Sequence, residues 1–156
     1  MVKAGLDVSD EELAIICASH SGSQRHIDLV VKMLAKRNIP LELLKSAVDK
    51  PLGEKEKIAW GEKPASQLAQ NCSGKHAGML ITCKQNGWDY TSYLELNHPL
   101  QIAIKNEIEL LSGEQVAKET FDGCGAPLFA FSLYGLAKAI SNLVTSNAKE
   151  HKQIVT

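Results

Sequence analysis

A mainly α-helical fold, a single domain over residues 1–156, is what this sequence predicts, and three observations carry that expectation. Apolar residues recur at helical spacing in several separate stretches, strand candidates are few, and helix-capping and helix-stopping residues bracket those stretches. At 156 residues the chain is long enough for one hydrophobic core and short for two. With 44% hydrophobic and 22% charged residues it has enough apolar surface to bury to hold a core, unlike a disordered tail.

The elements follow in order. Ser9 with Asp10, Glu11 and Glu12 forms a capping box, in which the serine oxygen accepts from the third helical amide and Glu12 reaches back. It opens an apolar run, 13–18, that fits a buried helix or a buried strand equally well. The polar cluster 19–22 ends the run in a loop. Ile27, Val30, Val31 and Leu34 stand at i, i+3, i+4 and i+7 and predict a helix with one apolar face. Residues 38–67 are broken by Pro40, Pro51, Gly53, Gly61 and Pro64 and read as connection with short helices.

A further helix is expected from Asn71 and Gly74 onward, with Ala77, Leu80, Ile81 and Lys84 at helical spacing, ending near Asn86 and Gly87. Asn97 is the expected cap of the next helix, where Pro99 is tolerated because an early amide has no helical partner. Ile104, Ile108 and Leu111 are its expected buried side, and Ser112 with Gly113 stops it. The last strong helix carries Leu133, Leu136, Ala137, Ile140, Leu143 and Val144 on one face. The chain closes on Gln153, Ile154, Val155 and Thr156 without cap or breaker, which reads as the end of a piece of a longer chain.

Charge and hydropathy exclude several function classes. The net charge is -1 and the lysines are interspersed with acids, so the basic stripe of a nucleic-acid binder is missing. No apolar stretch approaches the roughly 20 residues of a membrane span, and residues 1–7 lack the pattern of a signal peptide, so a cytoplasmic location is expected. Cys17, Cys72, Cys83 and Cys124 are then expected as reduced thiols or metal ligands.

Three small-residue segments crowd nucleophiles, turn formers and ionisable groups together: Cys17-Ala18-Ser19-His20-Ser21-Gly22, Asn71-Cys72-Ser73-Gly74-Lys75-His76-Ala77-Gly78-Met79 and Asp122-Gly123-Cys124-Gly125-Ala126-Pro127. Loops of this kind between helices are where binding and catalysis concentrate. Cys72, Lys75 and His76 lie three and four residues apart and can share one face of a helix start, and Cys124 can complete a soft metal site. Buried cysteines also serve simply as small hydrophobes. Ser19, with His20 beside it and His26 a turn into the next helix, suggests a serine nucleophile with an imidazole base, or merely caps of that helix through Ser19 and Ser21. A formal Ser-x-x-Lys match, Ser146 to Lys149, sits at a polar helix end where a solvated surface accounts for it.

The three segments in this order resemble the L-asparaginase II family of thermolabile, rhizobial-type enzymes, whose members carry a Cys-Ala-Ser-His-Ser-Gly-like loop, Asn-Cys-Ser-Gly-Lys-His-x-Gly-Met and Asp-Gly-Cys-x-x-Pro. Asn97-His98-Pro99-Leu100-Gln101 adds a fourth match. The resemblance implies a fold like that of serine beta-lactamases and penicillin-binding proteins, with these residues forming the helical lobe and few of the strands, the central part of a longer catalytic unit. It implies hydrolysis of L-asparagine through a serine/lysine acyl-enzyme, whose Ser-x-x-Lys segment does not precede Ser19 here. Ser19 resembles the second active-site serine of the family, with His20, Ser21 and Asp122 on the substrate side. Cys72, Lys75 and Cys124 resemble the family's metal-binding group, with zinc the expected ion. Spacing alone favours His76, which stands second. A homodimer is expected.

A non-catalytic zinc-binding helical module and a plain helical interaction domain are the alternative readings. Asparagine turnover separates the first from the enzyme, and tolerance to replacement of Ser19, Cys72 and Cys124 singles out the second.

Overall fold

The computed structural model describes residues 1–155. Seven α-helices and one small sheet follow in chain order among them. They are α1 (Asp10–Cys17), α2 (Gln24–Ala35), α3 (Glu54–Trp60), α4 (Ser73–Asn86), α5 (Pro99–Ser112), β1 (Lys118–Phe121), β2 (Pro127–Ala130), α6 (Leu133–Thr145) and α7 (Lys149–Val155). The chain is mainly helical, as its periodicity predicts.

The run 13–18, open between helix and strand in the sequence, is helical. Its capping box is complete, with Ser9 accepting from the Glu12 amide and Glu12 accepting from the Ser9 amide. Glu12 carries further weight. Its buried carboxylate meets Arg37 at both oxygens, 3.0 and 2.9 Å, while that guanidinium also donates to the carbonyls of Met33 and Asp7. A fork-to-fork pair of this kind ties the start of α1 to the end of α2.

Helix α4 is the hub, packing on α1, α2 and α5. The sequence predicts one apolar face for it, but the helix is buried nearly all round, from Ser73 and Gly74 through His76 to Cys83. Glycine makes this packing tight. A Cβ on Gly74 would strike the backbone of Ile15, and one on Gly78 would meet the Ile16 side chain at 2.8 Å, so α1 lies directly on the α4 backbone. Around this contact Val30, Met33, Leu34, Leu80, Ile81, Tyr93 and Leu100 form the centre of the core. Gly87 ends α4 with a φ of 66° in the left-handed region, where glycine has no Cβ to clash.

Four expectations shift. The cap of α5 is His98, not Asn97: its Nδ1 accepts from the Leu100 amide and its Nε2 donates to the Asp89 carbonyl, which Asn97, one residue earlier, is not placed to do. In α5 the fully buried residues are Leu100, Gln101 and Ser112, whereas Ile104, Ile108 and Leu111 are half-buried beside an apolar cleft that also touches Phe129. The apolar face of α6 is largely open, with Leu133 81%, Leu136 44% and Ile140 53% exposed, because α6 packs on α5 and α7 through its other side. In α2, Met33 is buried and Val31 only half-buried, a small rotation of the expected face.

Strands β1 and β2 pair antiparallel, Lys118 opposite Ala130 and Phe121 opposite Pro127. Their connection holds Asp122 to Gly125 in a turn, in which the Gly125 amide donates to the Asp122 carbonyl and the Asp122 amide to Ala126. The hairpin thus presents the third of the small-residue segments.

Candidate functional site

All three segments converge on the first turn of α4. Segment 17–22 leaves the end of α1, and the tight α1–α4 packing brings it against 70–73. The His20 amide donates to the Asn71 carbonyl at 3.1 Å, and Asn71 Nδ2 donates to Ser19 Oγ at 2.6 Å. Ser19 itself is exposed. It lies on a cleft of about 430 Å³ whose walls include Ala14, His20, Ser21, Arg25 and His26.

His20 is turned inward. Its Nδ1 accepts from the Gly22 amide at 3.1 Å, so Nε2 carries the proton and donates to Ser73 Oγ at 2.8 Å, and Ser73 in turn donates to the Leu68 carbonyl. Both ring nitrogens are occupied in the neutral form. Burial, with His26 5.1 Å away ring to ring, pushes its pKa down to about 4. Ser21 donates to Glu56 Oε1 at 3.0 Å and approaches His26 Nδ1 at 3.4 Å. His26 Nδ1 also meets Ser23 Oγ at 3.0 Å, and Ser23, not Ser19 or Ser21, caps α2. Ser19 therefore faces an amide, not an imidazole.

The other side of the same turn meets the hairpin. Sulfurs of Cys72 and Cys124 and a carboxylate oxygen of Asp122 lie within 4.8 Å of one another, and Lys75 Nζ donates to Asp122 Oδ2 at 2.9 Å. Cys124 is buried while Cys72 and Asp122 are half-buried. Burial holds the Cys72 thiol above its usual pKa although Lys75 opposes it. Burial also acts to lower the Lys75 pKa, but the Asp122 carboxylate and the two sulfurs outweigh it and leave the ammonium favoured. The Lys75 ammonium in turn holds Asp122 below the usual carboxylate range. Two thiols and a carboxylate converging at this spacing make a donor set suited to a borderline-soft divalent ion such as zinc.

His76 is directed elsewhere. Tyr93 accepts from the Lys45 amide and its hydroxyl meets His76 Nδ1 at 2.7 Å, deep in the core. His76 therefore stands outside the cluster of Cys72, Asp122 and Cys124. The Ser146 and Lys149 pair lies at the exposed junction of α6 and α7, where Ser146 Oγ accepts from the Ala148 amide.

Sequence reasoning gave no role to two residues in the middle of this arrangement. Asn71 reads in the sequence only as the start of a helix, and the buried Gln70 carries no sequence signal.

No curated protein matches the chain. A sequence profile of the family described as L-asparaginase II matches residues 1–156. With the three segments of that resemblance meeting at one turn, the match over its whole length shows that this chain belongs to the L-asparaginase II family.

Proposed function

We propose that the chain carries the second-serine and metal-binding part of an amidohydrolase that converts L-asparagine to L-aspartate and ammonia. The observation that supports this reading best is the docking of the 71–75 turn on both the Ser19 loop and the Asp122/Cys124 hairpin.

In this reading the nucleophile is the serine of a Ser-x-x-Lys segment, activated by its lysine as general base. It attacks the side-chain amide carbon, ammonia leaves, and water hydrolyses the aspartyl ester. Ser19, held on one side by the Asn71 amide and open to the cleft on the other, passes a proton between the reacting groups and helps to hold the substrate. Ser21 and His20 shape the cleft wall, and Asp122, on the hairpin side of the turn, is assigned to the substrate by the family resemblance. Cys72, Cys124 and Lys75 would hold zinc, which would supply a fixed positive charge beside the site. To serve as a ligand Lys75 would release its ammonium proton to solvent and leave its contact with Asp122. The enzyme acts on a small molecule, away from nucleic acid, in the cytoplasm and as a homodimer. Among the described residues no helix is long and apolar enough to cross a membrane.

The test is ammonia release from L-asparagine by the 156-residue chain and by a longer version that includes a Ser-x-x-Lys segment. Turnover is expected of the longer version alone. Ser19→Ala in that version is expected to lower turnover at least about 100-fold with an unchanged unfolding midpoint, the usual scale for a proton-transfer group. Activity within about threefold of the parent would return Ser19 to a structural role. The cysteine and aspartate cluster by itself also favours a second reading, a zinc-binding module without catalysis. Zinc binding without asparagine turnover in the longer version would select it.

A further inference from the structure

We propose that Gln70 is a positioning residue that sets the direction of the Ser19 hydroxyl proton through Asn71. The inference rests on the reading of Ser19 as a proton-transfer group.

The argument starts from a donor whose polarity cannot be reversed. The Cys72 backbone N–H only donates, and it donates to Gln70 Oε1 at 2.6 Å. Oε1 is thereby identified, so the other branch of the Gln70 amide is Nε2, which donates to Asn71 Oδ1 at 2.9 Å. Asn71 is oriented by that bond in turn. Its Nδ2 is the branch left for Ser19, and it donates to Oγ at 2.6 Å. Each amide has one accepting and one donating branch, so the polarity imposed at Cys72 passes without ambiguity to Ser19.

The consequence is that Ser19 Oγ accepts from the protein and keeps its own proton for a group in the cleft. The reverse orientation, with Asn71 Oδ1 toward Ser19, would make the hydroxyl donate into the protein. Gln70 is only 5% exposed, and its backbone is held on both sides, its amide donating to the Ser66 carbonyl and its carbonyl accepting from the Ser73 amide. It is too deep to touch a substrate in the Ser19 cleft and acts on Ser19 only through Asn71. Because the anchor is the amide of Cys72, the same short chain joins the serine to the loop that carries the cysteine.

The experiment uses a full-length asparaginase carrying this sequence. In Gln70→Glu the new carboxylate still accepts from the Cys72 amide but also demands a donor from Asn71, which turns its Oδ1 toward Ser19. Asn71→Asp imposes the same reversal without altering Gln70, and it carries the test if Gln70→Glu fails to fold. Both variants are expected to lower kcat at least 10-fold with KM within threefold of the parent. In an Asn71→Ala background, Gln70→Glu is expected to cause no further loss beyond twofold, a non-additivity that a merely structural role would not produce. The relay is overturned if Asn71→Asp keeps kcat within twofold, or if Gln70→Glu costs the same factor with and without Asn71. Ser19→Ala is measured in parallel. Full activity in that variant would remove the underlying reading and the relay with it, whereas an inactive Ser19→Ala beside normal Asn71→Asp and Gln70→Glu variants would overturn the relay alone.

Discussion

Gly74→Ala sets two effects of opposite sign against each other, and the structure decides which wins. Gly74 lies in the first turn of α4 with an ordinary negative φ, so helix propensity favours alanine there by about 1 kcal/mol. The added Cβ, however, would fall inside contact distance of the Ile15 carbonyl oxygen, with the Ile15 carbonyl carbon at 2.9 Å. Carbon atoms pack best at roughly 3.5 to 4.0 Å, so about 1 Å of clearance must be found. Neither atom belongs to a flexible side chain, so the relief has to come from moving α1 away from α4. Overpacking of a filled core typically costs about 1 to 3 kcal/mol, and a backbone collision belongs at the upper end.

The net expectation for Gly74→Ala is a loss of about 2 kcal/mol, or roughly 4 to 8 °C in Tm for a chain of this size. Urea unfolding followed by circular dichroism measures it, with Gly78→Ala as comparison. There the Cβ meets side-chain atoms of Ile16, which can shift, so a smaller loss is expected. Displacing α1 also draws the Ser19 loop away from Asn71. A Gly74→Ala protein as stable as the parent, or more stable by the propensity gain, would refute the reasoning and show that α1 is free to slide.

Two further outcomes are expected. Cys72→Ser and Cys124→Ser should each weaken zinc binding, measured by competition with a chromogenic chelator, at least about 100-fold. Lys75→Met should weaken it as well, whereas tighter binding in Lys75→Met with loss in Asp122→Asn would give the third ligand position to Asp122. For His20, the folded pKa of about 4 lies below the ordinary 6.5, so the unfolded chain takes up a proton first as pH falls. The neutral ring therefore contributes stability that is full above about pH 6.5 and is lost toward pH 4, about 2 kcal/mol between pH 7 and 4.5. His20→Asn should remove a loss of that order from the pH dependence of urea unfolding. An identical pH slope in parent and variant would mean that His20 titrates normally.

What the residues determined by themselves is local: where helices begin, end and turn. The Ser9 capping box, the stop at Gly87 and the face of α2 follow from neighbours three or four positions apart, and those interactions exist in any context that allows a helix. The small-residue segments were legible for a similar reason, since glycine, serine and cysteine in a row make a poor helix interior and a good loop. The cap of α5 shows the margin of error, because residue type favours Asn97 and only the path of the chain past Asp89 gives the place to His98.

Tertiary structure alone decided which groups meet. Asn71 and Ser19 are 52 residues apart, and Lys75 and Asp122 are 47 apart. Their bonds exist because two glycines let α1 lie on the α4 backbone and because the hairpin folds over the same turn. Packing also decided which apolar faces are covered, closing α4 nearly all round while leaving Leu133 and Ile140 of α6 open. Periodicity specifies that a face is apolar, but the free energy of burying it belongs to whatever surface comes to lie against it, and that partner is remote in the chain. Gln70 had no pattern to mark it, because its role comes from a donor on one side and an acceptor on the other that only the folded turn brings within reach.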